Sequence, residues 1–305
     1  SSMYLEIRDI PDKAEKIYYA TKNMELPQQV PYLGMGSSYF AALAPYYQGV
    51  DIAPFSASEY FDYLSKKTVR DLGVLISQSG RTSEVLWCRE LFKRFYAITN
   101  EIKSPLCVST KLDRVIPLLA DKEEHSSSKT YTNTLITLYN GFGIDTWPAV
   151  KALKANMKQY EQWGVQKAEQ IYDMIYKNAY KGAYIIGDGP NIATAYQAAL
   201  YLSETTKYPF IGMSVAQYDH GPKETAQGSV VIVLSTGDSS KRGDRLFKMV
   251  ENAGATVFHY NEEQVGSPLS PITSIIQLNF LGYKLAKLLQ VEKTFMVGDK
   301  VTEVK

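Results

Sequence analysis

Residues 72–87 read LGVLISQSGRTSEVLW, and this stretch decides the fold. The apolar run over 72–76 has the composition of a buried strand, and the last five residues have the apolar spacing of a helix. A strand that turns directly into a helix is the unit of a parallel sheet covered by helices. In between, Ser77, Ser79 and Thr82 place hydroxyl groups beside free backbone N–H groups, which suits an anion such as phosphate. The alternative is a capped turn that binds nothing.

The same alternation of strand and helix patterns runs along almost the whole chain. We therefore predict an α/β protein with parallel sheets flanked by helices. Strands are predicted over residues 32–34, 73–76, 96–99, 183–187, 230–234 and 256–259. Helices are predicted over residues 13–23, 38–47, 58–64, 83–95, 130–139, 192–205, 242–252 and 275–289.

A weak internal repeat divides the chain into two halves. Residues 33–47 match residues 186–201, since each begins with an apolar residue and Gly-x-Gly and continues as a helix. We therefore predict two tandem αβα domains, residues 1–150 and residues 151–305, bridged by a helix over about 147–180. The alternative is that the two segments are not a repeat, because the residue patterns of any two strand–helix units are this similar.

Composition excludes several classes of protein. The chain has 305 residues, of which 45% are hydrophobic and 21% charged, with a net charge of +1. This balance is globular and shows no basic surface, so we expect no nucleic acid partner. No apolar run reaches the roughly 18 residues that cross a bilayer, and no signal peptide is recognisable, so we expect a cytoplasmic protein with no membrane association. Cys88, Cys107 and three histidines are too few for a disulfide framework or a cysteine-based zinc site, so we expect no metal and no cofactor.

Two further turns carry hydroxyl groups. Residues 34–38 join a predicted strand to a predicted helix, but they fail as a dinucleotide-binding fingerprint because Tyr39 stands where the third glycine would be. In a parallel sheet, this turn and the turn at 77–82 both lie at the carboxyl ends of strands, where ligands of α/β sheets bind. A third cluster, residues 126–130, opens a predicted helix and by itself is typical of a loop.

In this order, the motifs resemble the sugar isomerase (SIS) domains of phosphosugar enzymes. The motifs are GSSY at 36–39, Glu59, SQSGRT at 77–82, AITN at 97–100, SSK at 127–129, AALYLSE at 198–204, DHGP at 219–222 and KVT at 300–302. The similarity runs from about Leu33 to Thr302, and the ordered set is more specific than any one motif. The chain resembles the isomerase half of glutamine–fructose-6-phosphate amidotransferase, the stand-alone glucosamine-6-phosphate deaminases and the fructosamine-type deglycases.

The resemblance implies a site for a hexose or hexosamine phosphate. The implied phosphate-binding residues are Ser38, Ser77, Gln78, Ser79 and Thr82, and the implied sugar-lining residues are Ser37, Ser127, Ser128 and Lys129. It also implies Glu204 as the base that moves a proton between C1 and C2 of the open-chain sugar. His220 would open the ring, often from the neighbouring subunit, and Lys300 would form a Schiff base with a C2 carbonyl. Because family sites are completed across a two-fold interface, we expect a homodimer.

These residue types also suit the chemistry by themselves. Aldose–ketose interconversion needs an acid and a base of moderate pKa, which Glu and His supply without a metal. A lysine that condenses with a ketone offers an electron sink and a route to exchange ammonia for water. Each residue also has a plainer interpretation: Glu204 as an exposed helix carboxylate, His220 as a turn residue before Gly-Pro, and Lys300 as a solvated tail lysine.

The sequence departs from the family in several places. Tyr201 stands one helical turn before Glu204, where the amidotransferase has a lysine. Residues 295–299 replace the Pro-Arg-Asn-Leu that introduces the tail lysine, so the register of Lys300 differs from the family pattern. Ser128 replaces a common threonine and keeps the hydroxyl. No stretch resembles the glutaminase domain, so we do not expect the chain to release ammonia from glutamine by itself.

We therefore predict an enzyme that isomerises and deaminates an amino-sugar phosphate, converting glucosamine 6-phosphate to fructose 6-phosphate and ammonia without a metal. Two enzyme alternatives stay open: a fructosamine-6-phosphate deglycase, and the isomerase subunit of a synthase that depends on ammonia or a partner subunit. The non-enzyme alternative is a sugar-phosphate sensor. Sensors of this fold usually carry a DNA-binding helix-turn-helix, for which residues 3–23 are too short.

Overall fold

A computed structural model describes residues 2–236 and 241–302 of the chain. Two compact units emerge, each named here by its sheet. The five-strand unit comprises Asp12–Glu123, Lys129–Thr146 and Met296–Lys305, and the four-strand unit comprises Ser1–Pro11, Glu124–Ser128 and Trp147–Phe295. Each unit therefore gathers segments that are far apart in the sequence.

The five-strand unit contains one parallel sheet. Its strands are β1 (Pro31–Gly34), β2 (Ala53–Ser56), β3 (Arg70–Ile76), β4 (Phe92–Thr99) and β5 (Leu112–Pro117), in the order β2-β1-β3-β4-β5. Its helices are α2 (Ile10–Thr21), α3 (Ser37–Tyr47), α4 (Ala57–Glu59), α5 (Ser83–Cys88) and α6 (Lys129–Gly141). The first two residues of α2, Ile10 and Pro11, belong to the four-strand unit. The central strand β3 is buried over residues 73–76, as expected for a parallel strand covered on both faces.

The four-strand unit contains a second parallel sheet. Its strands are β6 (Gly182–Gly187), β7 (Phe210–Ser214), β8 (Ser229–Thr236) and β9 (Thr256–Glu262), in the order β7-β6-β8-β9. Its helices are α1 (Ser2–Arg8), α7 (Trp147–Tyr176), α8 (Asn191–Thr206), α9 (Val215–Asp219), α10 (Lys241–Asn252), α11 (Ser270–Ser274) and α12 (Ile276–Leu288). The apolar strand β8 is buried over 229–235 and forms the centre of this core.

The predicted α/β fold with parallel sheets flanked by helices is confirmed. All six predicted strands and the predicted helical bridge, found as α7, are present, with ends displaced by a few residues. The predicted helix over 83–95 is wrong in its second half. It ends at Cys88, and β4 begins at Phe92, because Phe92 and Phe95 are buried where β4 pairs with β3. The predicted domain boundary between residues 150 and 151 stays a prediction.

Helices α7 and α12 pack closely at a glycine. Gly164 lies in α7, and a Cβ at this position would be 2.4 Å from the Gln277 carbonyl oxygen and 2.8 Å from the Leu281 nitrogen. Both atoms belong to the backbone of α12, so they cannot move aside as a flexible side chain can. The sequence therefore needs glycine here although glycine disfavours helix formation.

We expect Gly164→Ala to lower the free energy of unfolding by about 2 kcal/mol or more, because overpacking against fixed backbone outweighs the helix propensity of alanine. Thermal denaturation measures this as a Tm lower by several degrees. Gly266→Ala is the matched control, since Gly266 has a φ of −69° and a Cβ there would meet only the Pro268 ring at 3.7 Å. An equal effect of the two substitutions would contradict the packing described for α7 and α12.

Among the helices of residues 2–236 and 241–302, none combines the length and apolar composition needed to span a membrane.

Candidate active site

The SQSG turn, residues 77–82, follows the buried end of β3. Ser77 is buried, and its hydroxyl accepts a hydrogen bond from the Gly80 N–H at 3.0 Å. The Ser77 hydroxyl also lies 2.9 Å from the hydroxyl of Thr82, the residue that precedes α5. Two hydroxyl groups therefore meet just before the first turn of a helix. Hydroxyl and N–H groups in this arrangement can donate hydrogen bonds to an anion.

The backbone of the SQSG turn is fixed by the chain after β4. The Gln78 carbonyl accepts a hydrogen bond from the Asn100 N–H at 3.0 Å, and the Gly80 carbonyl accepts one from the Leu106 N–H at 3.0 Å. Gly80 has a φ of +64°, and a Cβ there would lie 1.8 Å from the Ser104 hydroxyl oxygen. Both the backbone conformation and the space therefore require glycine at this position.

Gln78 and Ser79, the other predicted phosphate-binding residues of this turn, are half-buried. The Ser79 hydroxyl accepts a hydrogen bond from the Arg81 N–H at 3.2 Å. The Arg81 side chain is exposed.

Ser37 and Ser38 begin α3 and are half-buried. A Cβ on Gly34 would lie 3.0 Å from the Cβ of Ser38, so glycine allows this helix to start close to the end of β1. Strand β1 lies beside β3, with Leu33 opposite Leu75. The turn after β1 and the SQSG turn therefore reach the same edge of the sheet on adjacent strands. The strand order also changes direction between β1 and β3, and such switch points are where α/β sheets bind ligands.

Glu204 lies near the C-terminal end of α8 and is held by the triple-serine loop, residues 124–128. The Ser126 hydroxyl is buried and donates a hydrogen bond to the Glu204 Oε2 at 3.0 Å. The neighbouring Ser127 carbonyl accepts a hydrogen bond from the Gln197 Nε2 at 3.1 Å. All of these residues belong to the four-strand unit. The triple-serine loop therefore runs along α8 and places a hydroxyl donor on the predicted base.

A second set of contacts surrounds the end of α8. Lys207 has a φ of +67°, and its Nζ donates hydrogen bonds to the Glu204 carbonyl at 2.6 Å and to the Thr294 carbonyl. Burial lowers the pKa of Lys207, and the nearby charge of Glu204 opposes this shift. The His125 Nδ1 lies 2.8 Å from the Thr294 hydroxyl. The chain after α12, the end of α8 and the triple-serine loop are therefore joined next to Glu204.

Tyr201 is buried in the contact between α8 and α12. A Cβ on Gly282 of α12 would lie 2.9 Å from the Tyr201 ring and 2.9 Å from the Thr205 hydroxyl. Tyr201 is only 1% exposed. The glycine on α12 thus makes room for the Tyr201 ring.

His220 follows α9 and is exposed. Its backbone N–H donates to the Ala216 carbonyl at 3.1 Å, and the preceding Asp219 forms an ion pair with Lys223 at 2.8 Å. Within the described part of the chain, the His220 side chain makes no hydrogen bond or ion pair. Its predicted catalytic role therefore stays a prediction.

Lys300 is exposed and belongs to the five-strand unit. Two residues later, the Thr302 hydroxyl donates a hydrogen bond to the Glu84 carboxylate at 2.6 Å. Glu84 lies in the first turn of α5, directly after the SQSG turn. The segment that carries Lys300 therefore lies beside α5 in the same unit as the predicted phosphate-binding residues.

Ser128 is the last residue of the triple-serine loop, and Lys129 is the first residue of α6. Both are buried. The first N–H groups of α6 are already occupied: those of Lys129 and Thr130 donate to the Glu123 carboxylate, at 2.9 and 3.4 Å. Any contact of Lys129 with a ligand would therefore use its side chain rather than the start of the helix.

Two residues of this arrangement were not among the predicted site residues. Ser126 belongs to the cluster 126–130, which by itself is typical of a loop, and Gln197 was not singled out although it precedes Glu204 by about two turns of the same helix. Across residues 2–236 and 241–302, no group of three or more His, Cys, Asp or Glu side chains is arranged to hold a metal ion.

Comparison with known proteins confirms the predicted resemblance. The chain is 25% identical to the glutamine–fructose-6-phosphate aminotransferase [isomerizing] of Pyrococcus horikoshii over 292 residues, covering 84% of this chain and 48% of that protein. It is 25% identical to aminotransferase 1 of Arabidopsis thaliana over 306 residues, covering 88% of this chain and 45% of that protein. The chain thus spans about half the length of the curated relatives it matches. No protein-family model matches the chain.

Solved structures share the fold. The glucosamine-6-phosphate deaminase of Thermotoga maritima superposes with a TM-score of 0.78 at 22% identity, over 94% of each chain. The C-terminal domain of the glucosamine–fructose-6-phosphate aminotransferase of Francisella tularensis superposes with a TM-score of 0.75 at 18% identity, over 95% of this chain and 96% of that one. The parallel α/β fold is therefore that of SIS-domain phosphosugar proteins.

Proposed function

We propose that this protein isomerises and deaminates an amino-sugar phosphate, converting glucosamine 6-phosphate and water to fructose 6-phosphate and ammonia. The observation that carries the proposal is the Glu204 carboxylate, held by the buried Ser126 hydroxyl at 3.0 Å, in a chain related to isomerising aminotransferases. A carboxylate held in place by a hydrogen bond is suited to taking a proton from a carbon next to a carbonyl or imine and returning it to the adjacent carbon.

The reaction follows from this chemistry. Glu204 removes the proton from C2 of the open-chain amino sugar and delivers a proton to C1, which moves the double bond and leaves an imine at C2. Attack by the Lys300 amine on that imine releases ammonia and forms a Schiff base to the enzyme. Water then hydrolyses the Schiff base to the C2 ketone and frees the lysine. His220 is the proposed group for opening the sugar ring.

The proposed phosphate anchor consists of the hydroxyl and N–H groups at the carboxyl ends of β1 and β3. Ser38, Ser77, Ser79 and Thr82 supply hydroxyl groups and Gln78 an amide, with Ser37, Ser127, Ser128 and Lys129 proposed to line the sugar. The contact between the Ser77 and Thr82 hydroxyls supports this arrangement, because both can turn their protons toward a bound anion.

The proposed assembly is a homodimer of chains that each contain two tandem SIS domains. The two compact units with parallel sheets of related strand order support the tandem arrangement. His220 is exposed, which suits donation to the site of a neighbouring subunit. A two-fold interface is also the commonest symmetric assembly of soluble proteins.

A second candidate is the synthase direction, in which ammonia adds to fructose 6-phosphate. The names of the curated relatives favour it, since they are isomerising aminotransferases. The same intermediates serve both directions, so the residue roles do not change. The two candidates differ in whether ammonia is released as a product or consumed as a substrate.

A substrate panel tests the proposed function. We expect the purified protein to release ammonia and fructose 6-phosphate from glucosamine 6-phosphate in a one-to-one ratio, measured by separate coupled assays. Release of an amino acid from a fructosamine 6-phosphate would instead identify a deglycase. Formation of glucosamine 6-phosphate only with ammonia or an added glutaminase would identify the synthase. If calorimetry shows that these sugars bind and no product forms, the protein is a sugar-phosphate sensor rather than an enzyme.

A further inference from the structure

Gln197 connects α8 to the triple-serine loop. It is 1% exposed, and its Nε2 donates a hydrogen bond to the Ser127 carbonyl at 3.1 Å. Ser127 is seventy positions away in the sequence, so this contact joins the loop to the helix across a long stretch of chain. Glu204 follows Gln197 by seven residues, or about two turns of the same helix, which places the two side chains on one face.

The two contacts of the loop act on adjacent residues. Gln197 holds the carbonyl of Ser127, and Ser126 donates its hydroxyl to the Glu204 carboxylate at 3.0 Å. Ser126 and Ser127 are consecutive residues, so the hydrogen bond from Gln197 holds the backbone directly after the residue whose hydroxyl contacts Glu204. Loss of that hydrogen bond would free the backbone torsions of Ser127 and, with them, the position of the Ser126 hydroxyl.

The oxygen of the Gln197 amide is also buried. Within the described residues, no donor forms a hydrogen bond to this Oε1. A buried polar atom without a partner disfavours folding. An apolar side chain of similar length would remove this penalty but would also take the Nε2 donor from the carbonyl of the half-buried Ser127. Because the gain and the loss oppose each other, stability alone does not explain glutamine at this position.

We propose that Gln197 is a positioning residue, which fixes the triple-serine loop so that the Ser126 hydroxyl is aimed at Glu204. The effect of Gln197 on turnover rests on the proposed function of Glu204. The effect of Gln197 on the position of the loop does not, because the loop has this position in the protein without a ligand.

Gln197→Met keeps the length of the side chain and removes the amide. Gln277 of α12 offers a matched control. It is also fully buried, and its Nε2 donates a hydrogen bond to the Ser274 carbonyl of the same unit at 2.6 Å. Among the residues that the structure describes, its Oε1 likewise has no hydrogen-bond partner. Gln277→Met therefore makes the same chemical change where no contact with the triple-serine loop is involved.

The first measurement is hydrogen–deuterium exchange of the peptide covering residues 124–130, with thermal denaturation in parallel. For Gln197→Met we expect exchange at least about tenfold faster in this peptide at an unchanged or higher Tm. Gln277→Met should leave exchange in the peptide unchanged. If Gln197→Met leaves the loop as protected as in the unaltered protein, or if its Tm falls with exchange rising everywhere, the residue is structural and the proposal is overturned.

The second measurement is a double-mutant cycle with Ser126→Ala under the assay for glucosamine 6-phosphate. We expect each single substitution to lower kcat by about tenfold to a hundredfold at a nearly constant KM, because misplacement of a catalytic contact affects the chemical step. The double substitution should cost no more than Ser126→Ala alone, since both remove the same contact. Multiplicative losses would overturn the proposal. No turnover by the unaltered protein would refute the proposed function, while the exchange experiment would still decide the role of Gln197 in holding the loop.

Discussion

Glu204→Gln should lower kcat for glucosamine 6-phosphate by about a thousandfold, with little change in KM. The substitution keeps the size of the side chain and its ability to accept the Ser126 hydrogen bond, but an amide cannot take a proton from carbon. General acid–base catalysis by a placed side chain contributes about a hundredfold to ten-thousandfold, which sets this magnitude. Initial rates of ammonia release at saturating substrate measure it.

The control for this substitution is Glu169→Gln. Glu169 is an exposed carboxylate of α7, 57% exposed, and its ion pair with Lys284 is long, at 3.8 Å. Surface ion pairs of this kind contribute little, so we expect kcat within about twofold of the unaltered protein. If Glu204→Gln retained comparable activity, the proton would be moved by another group and the proposed mechanism would be wrong.

Thr82→Val should weaken recognition of the phosphate without disturbing the fold. Valine has the shape of threonine and lacks the hydroxyl that meets Ser77 at 2.9 Å. A hydrogen bond to a charged group contributes about 1.5–3 kcal/mol, and 1.4 kcal/mol corresponds to a factor of ten. We therefore expect kcat/KM for glucosamine 6-phosphate to fall by roughly tenfold to a hundredfold. Inhibition by inorganic phosphate should weaken by a similar factor.

The effect of Thr82→Val should be confined to phosphorylated substrates, so the low activity expected with unphosphorylated glucosamine should not change. Thr137→Val is the matched control, because the Thr137 hydroxyl is buried within α6 and donates only to the Asn133 carbonyl at 2.8 Å. An equal loss with glucosamine and with glucosamine 6-phosphate would show that Thr82 supports the structure rather than the phosphate.

Continuous apolar composition made the central strands predictable. Strand β3 is apolar and buried over residues 73–76 and is followed directly by Ser77, and β8 is buried over 229–235 and ends in Ser235 and Thr236. The short strands β2, β5 and β7 were missed. In β5, for example, Asp113 and Arg114 are exposed, so the strand lacks the apolar run that identifies a buried one. Hydrogen bonds to a neighbouring strand hold these three segments extended. A single sequence does not show this pairing.

The candidate site was predictable in part for the same reason. The SQSG turn is local, so its hydroxyl groups and the positive φ of Gly80 follow from a few consecutive residues. The contact of Ser126 with Glu204 joins residues 78 positions apart, and nothing in the local pattern of either residue indicates it. Gln197 was missed because a buried glutamine on a helix carries no motif. Its importance follows from the carbonyl it contacts.

The central claim is that Glu204 moves a proton between C1 and C2 of a sugar phosphate. Proton NMR of glucosamine 6-phosphate incubated with the protein in D2O tests it most directly. We predict loss of the C2 proton signal and appearance of solvent deuterium at C1 of fructose 6-phosphate, with both changes absent in Glu204→Gln. Fructose 6-phosphate that carries no solvent deuterium at C1 after complete turnover, or deuterium incorporation that continues unchanged in Glu204→Gln, would contradict the account.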